Sequence, residues 1–157
     1  MTTNKFIVER TVVGEDNTTV AITYTDVAGL SFYGKAGEVY KFHAKVVYDV
    51  NATSTGVNFS VNGPTASVIS YRSEVSTSAT AEAVNFGNAY DLPAAAQTTG
   101  SAFTADNIAI VEGVISPSAD GTIVIRGIRE DAVSATCTVQ GASSVLTWSR
   151  IDWPVEA

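Results

Sequence analysis

The sequence predicts one all-β domain, an antiparallel β-sandwich of jelly-roll type. Three observations carry this. The first is composition: 21 Val, 10 Ile and 19 Thr stand against 3 Leu and 1 Met. β-Branched side chains lose rotamer freedom in a helix and pack well on a pleated sheet. The second is an alternation of apolar and polar residues from Glu38 to Asp49, with Val47 the exception. The third is a series of short apolar runs separated by Gly, Asn and Pro turn signals. At 157 residues the chain is long enough for one domain with a substantial core.

Along the chain, residues 1–25 read as an N-terminal arm with the first strand or strands, and residues 26–157 as the sandwich. Phe6-Ile-Val-Glu-Arg-Thr-Val-Val13 has the makings of a sheet strand, and Gly14-Glu-Asp-Asn17 is a polar turn. Thr18 to Thr25 alternates, with Val20, Ile22 and Tyr24 on one side. Leu30-Ser-Phe-Tyr33 leads to a reversal at Gly34-Lys-Ala-Gly37, where glycine adopts positive φ at little cost.

The clearest strand follows. Tyr40, Phe42, Ala44, Val46 and Tyr48 fall on one face, and Lys41, His43, Lys45 and Asp49 on the other. Successive side chains of a strand point to opposite faces, so the first set is core and the second is wet. Val57 to Val61 is the next strand. Asn62-Gly63 predicts a hairpin to Ala66–Val75, with a loop lengthened because Pro64 donates no hydrogen bond.

Residues 76–106, rich in Ser, Thr, Ala and Gly, predict one strand at Ala81–Phe86 and one long surface connection. A short helix is expected at 92–97. Long loops in compact domains are usually functional or touch a neighbour. Ile108–Ile115 and Thr122–Ile128 read as a hairpin across Pro117-Ser-Ala-Asp-Gly121. Ala132–Val139 and Ser143–Ile151 read as another across Gln140-Gly-Ala142. Nine or ten strands at this spacing suit a sandwich or jelly roll.

Charge excludes one function class. Nine Lys and Arg against 16 Asp and Glu give a net charge of −7, and the basic residues are scattered. Nucleic-acid binding needs a basic stripe, so nucleic acid is not expected as a partner. No apolar run reaches membrane-span length and the N-terminus lacks an apolar signal region, so neither membrane association nor export is expected. A single cysteine, Cys137, excludes an intrachain disulfide.

The candidate chemistry is thin. His43 is the only histidine, on a polar strand face without a nucleophile-elbow motif, and reads as a surface histidine. Cys137 alternates with Ala135 and Val139 and reads as a buried thiol. Asp49-Val-Asn51-Ala-Thr53 begins like a calcium loop, but Ser54 and Ser60 stand where Gly and a carboxylate are required. Glu112 interrupts one apolar strand and Arg126 its expected partner, which predicts an ion pair between them. Three sequons, at Asn17, Asn51 and Asn58, read as chance matches. Tyr33, Tyr71 and Tyr90 sit in or near expected loops, where aromatics suit a sugar platform or an oligomer contact. Catalytic residues, metal ligands and cofactors are not expected. The interface residues are expected to be Phe6, Val8, Trp148 and Trp153, which are apolar and lie near chain ends; Trp148 also alternates with Leu146, which favours core or interface.

Two stretches carry a resemblance. One is Asp26-Val-Ala-Gly-Leu-Ser-Phe32, Ala36-Gly-Glu-Val-Tyr-Lys-Phe42 and Thr53-Ser-Thr-Gly-Val-Asn-Phe-Ser-Val-Asn-Gly-Pro64. The other is Asn107-Ile-Ala-Ile-Val-Glu-Gly-Val-Ile-Ser-Pro-Ser-Ala-Asp-Gly-Thr122. Together they resemble a β-rich domain of virion structural proteins of tailed bacteriophages. That domain occurs alone and as a C-terminal module of tail or fibre proteins. The resemblance spans most of residues 26–151 and carries no catalytic residues to transfer. It implies a jelly roll, a homotrimer, and a place in the virion beside the major capsid protein or other virion proteins. The leading expectation is a capsid decoration (cement) protein that stabilises the shell. The alternative is a tail-fibre or receptor-binding tip module that recognises a host surface glycan.

Overall fold

A computed structural model describes residues 9–96 and 99–151. Eleven strands run β1 Arg10–Val13, β2 Thr18–Thr19, β3 Thr25–Gly34, β4 Val39–Val50, β5 Val57–Asn62, β6 Ala66–Ser78, β7 Ala81–Gly87, β8 Asn107–Pro117, β9 Gly121–Arg129, β10 Cys137–Val139 and β11 Val145–Ile151. Among the described residues the only helical element is a 3-10 turn, Gly141–Ser143.

The strands form two antiparallel sheets that pack face to face. The larger has the order β1-β11-β4-β8-β6-β7, with β10 beside β4 and β2 beside β10; the smaller has the order β3-β9-β5. β3, β5 and β9 each cross away from the large sheet and the chain then returns to it, which is jelly-roll winding. β6 is the departure, since it joins the large sheet beside β8 rather than lying next to β5.

The alternation along β4 is realised. Tyr40, Phe42, Ala44, Val46 and Tyr48 are all buried between the sheets. They meet Val27, Leu30 and Phe32 of β3, Val57, Phe59 and Val61 of β5, and Ile123 and Ile125 of β9. Tyr48 and Phe59 stack obliquely across the interior with ring centroids 5.3 Å apart.

Several local readings are corrected. Alternation ends at Thr19: the Ala21 N–H bonds to the Thr25 hydroxyl, which donates to the Thr23 carbonyl, and Ile22 is exposed. Those local side-chain bonds replace a strand ladder. No helix forms over 92–96. The Pro93 carbonyl accepts from the Tyr24 hydroxyl and the Ala95 carbonyl from Asn58, so side chains take acceptors that a helix would use.

None of the three expected hairpins forms: two are crossings between the sheets, and in the third the two strands follow one another along the same neighbour. β5 pairs with β9, whereas β6 pairs with β7 and β8. β8 lies in the large sheet and β9 in the small one. These two corners meet where Ser118 donates from both its N–H and its hydroxyl to the Thr65 carbonyl. β10 and β11 lie end to end along one edge of β4. In the gap between them, the Val47 N–H donates to Ser144 Oγ and the Val47 carbonyl accepts from the Gln140 N–H.

The long connection from β7 to β8 covers the open edge of β5. Asp91 N–H bonds to the Val61 carbonyl, Asn58 to Ala95, and Ser101 to the Thr53 and Thr55 carbonyls. An uncovered edge offers unpaired backbone groups to other chains, and this connection takes up the Val61 carbonyl of β5 and lies over the strand.

Candidate functional site

Of the expected interface residues, Phe6, Val8 and Trp153 lie outside the described residues. Trp148 lies on the inward face of β11, in register with Phe42, and is half-buried. Its indole stacks on the Phe32 ring at 5.0 Å with an interplanar angle of 12°. Trp148 therefore closes one side of the sandwich.

Other singled-out residues have structural partners. Cys137 is fully buried, and burial pushes its thiol up to about 12. Asn51 Oδ1 accepts from Thr136 N–H and the Thr55 hydroxyl, and Asp49 Oδ1 accepts from Asp106 N–H and Gln140. The Asp49–Thr53 stretch is thus a hydrogen-bonded corner. The Asn58 sequon is buried in β5.

The predicted Glu112–Arg126 pair does not form, because β8 and β9 belong to different sheets. Glu112 accepts from Arg72 Nε at 2.6 Å and stands 3.6 Å from His43 Nε2. Arg126 Nε donates to Asp26 Oδ1 at 2.7 Å and its Nη1 to Asp91 Oδ2 at 2.8 Å. The odd residues were visible in the sequence; their partners depend on strand order.

These two ion-pair centres mark two outward surfaces. On the large sheet, Thr11, Thr147, His43, Glu112, Arg72 and Phe86 form one row across six strands, each in register with the next. A shallow groove of about 410 Å³ crosses it between Glu9, Lys41, His43, Glu112 and Thr147. Glu112 raises the Arg72 pKa by hydrogen bonding and charge. Burial raises Glu74, and the adjacent Glu82 carboxylate raises it further. Phe86 ends the row as an exposed ring, and further exposed apolar side chains flank it: Val13 on β1, Ile108 on β8 and Val84 on β7. β7 is also an edge strand of the sheet.

On the small sheet a second groove, of about 480 Å³, is lined by Asp26, Ser31, Asn62, Thr122, Val124 and Arg126 among others. β3 carries a register shift between Asp26 and Ser31, with Gly29 at φ +80° inside it. Val124, Ser31 and Asn62 lie in one cross-strand row, and Tyr33 pairs with Thr122 next to it.

Chemically, the first surface offers an imidazole beside a carboxylate and the second a guanidinium clamped by two carboxylates. Among the described residues, no group of three His, Cys, Asp or Glu side chains is placed to hold a metal ion. No protein-family model matches the chain, and no curated protein matches it.

Proposed function

We propose that the chain is a virion structural protein of a tailed phage, a decoration protein bound to the outside of the capsid as a homotrimer against the major capsid protein. The observation that carries this reading is the outward face of the large sheet. It is six strands wide, it is braced by the Arg72–Glu112 bond, and one of its edges is β7 with Phe86 79% exposed. An unpaired edge beside exposed apolar side chains is a ready template for a partner strand. The resemblance of residues 26–64 and 107–122 to phage virion domains points to the partner. Closed symmetry is the usual state of homo-oligomers.

Cryo-electron microscopy of the intact particle tests the proposal. Density for the chain at repeated sites on the outer shell is expected; density only at the tail overturns it. Phe86→Lys is expected to release the chain from the particle while its melting temperature holds. Light scattering that gives a monomer mass at micromolar concentration overturns the trimer.

A further inference from the structure

The groove on the small sheet is built with more restraint than the fold requires. The connection over β5 is already pinned by the Tyr71 hydroxyl to Ala89 and Leu92, by Tyr24 to Pro93, by Tyr90 to Pro64 and by Asp91 N–H to Val61. Even so, Asp91 takes a left-handed backbone, φ 54°, and places its carboxylate against Arg126 and Asn62 at 2.8 and 2.7 Å. A non-glycine residue in that conformation costs on the order of 1–3 kcal/mol, and such strain concentrates at ligand sites. Its second oxygen is buried without a hydrogen-bond partner.

The result is a guanidinium fixed in one plane from two sides, by Asp26 at the surface and Asp91 beneath. The Asp26 carboxylate remains 64% exposed, so it presents acceptor capacity to solvent. Two carboxylates against one guanidinium leave this centre with an excess negative charge, which disfavours phosphate, sulfate or a sialic acid. Ser31 and Thr122 add hydroxyls, and Val124 supplies an apolar patch between them. Tyr33, 59% exposed, is the cross-strand partner of Thr122, a residue of the groove's lining. Fixed planar donors and acceptors beside an exposed ring match a sugar, whose hydroxyls need paired hydrogen bonds and whose C–H face stacks on an aromatic. The volume lies within the range of small-ligand sites.

We propose that this groove binds a neutral pyranose through Asp26, Arg126 and Asn62, with Tyr33 against the ring face. The site belongs to the small sheet and does not depend on where the chain sits in a particle.

The test is an amide-resolved NMR titration of the full chain with the methyl glycosides of glucose, galactose and mannose, with N-acetylglucosamine, and separately with sialic acid and inorganic phosphate. At least one neutral sugar is expected to shift Ser31, Asn62, Thr122 and Val124 saturably, with a dissociation constant of about 1–10 mM. Tyr33→Ala and Asp26→Asn, both at exposed positions, are each expected to weaken it about tenfold or more while the melting temperature holds. No saturable shift with any neutral sugar overturns the proposal. So do shifts confined to another surface, a response to the anions alone, or binding unchanged in both variants.

Discussion

The Tyr71 hydroxyl lies 2.8 Å from Ser60 Oγ and so ties β6 of the large sheet to β5 of the small one. It also accepts from the Leu92 N–H and donates toward the Ala89 carbonyl. One phenol therefore holds both sheets and the long connection. Tyr71→Phe removes this partner from the Leu92 N–H, the Ala89 carbonyl and the Ser60 hydroxyl, and a loss of about 2 kcal/mol is expected. Hydrogen exchange at the Leu92 amide should accelerate while β4 amides stay protected. Unchanged exchange at Leu92 would show that the hydroxyl is not the anchor.

The same tyrosine explains two glycines. Gly113 and Gly87 are its register partners on β8 and β7. A Cβ at Gly113 would run into the Ser70 carbonyl and the Tyr71 Cβ; at Gly87 it would run into the Tyr71 ring. Gly113→Ala meets backbone that cannot swing aside, so a cost of about 1–3 kcal/mol is expected, as for an overpacked core. A denaturant midpoint equal to that of the parent chain would contradict the packing described.

Trp148 and Phe32 come from opposite sheets and their rings stack. Trp148→Ala removes much of that contact at a half-buried site. A destabilisation of about 2–4 kcal/mol is expected, near the lower part of the range for large aromatic truncations in cores. The loss should appear at any protein concentration, since both rings belong to one chain. A loss that vanishes on dilution would instead place the indole between subunits.

How far the sequence foretold this depends on which physical signal each element carries. β4 was legible because one of its faces is buried and the other wet, so period 2 is written in its residues. Cys137 was legible for the same reason. The pairings of β5, β8 and β10 were not, because Asn62-Gly63, Pro117–Gly121 and Gln140–Ala142 signal that the chain changes course, not which sheet it enters. That choice is made by distant surfaces: Val57, Phe59 and Val61 stack on the face of β4, which draws β5 away from β6. Glu112 and Arg126 stood out as charges in apolar strands, yet their partners Arg72 and Asp91 lie 40 and 35 residues away and follow only from strand order. Asp91 gave no local sign, since its role rests on a backbone conformation.

Glu112 bridges Arg72 and His43 on a face open to solvent, so its charge is screened. Exposed ion pairs contribute about 0–1 kcal/mol. Glu112→Gln is therefore expected to change stability by less than about 1 kcal/mol. Added salt should weaken even that difference. A loss of several kcal/mol would mean that the row is desolvated, as it would be if the assembled protein covered this face.

Alkaline stability follows from burial. Tyr24, Tyr48, Tyr71 and Tyr90 are all raised above the ordinary tyrosine value, with desolvation the largest cause in each. The thiol of Cys137 is raised to about 12, again chiefly by burial. In each case the folded chain holds its proton more tightly than the unfolded chain does. Their contribution to stability is complete below the unfolded values, about 8.5 for the thiol and 10 for the phenols. It falls as pH rises through and beyond these values, because the unfolded state then binds fewer protons. Stability set by these groups should be flat from pH 7 to about 8, then fall with a slope that steepens above about pH 10. Tyrosinate absorbance from Tyr24, Tyr48, Tyr71 and Tyr90 should rise only together with unfolding. Cys137 should resist a thiol reagent in the folded chain at pH 8 and react at once in denaturant. Full tyrosine ionisation near pH 10 with the fold intact would contradict the burial of these side chains.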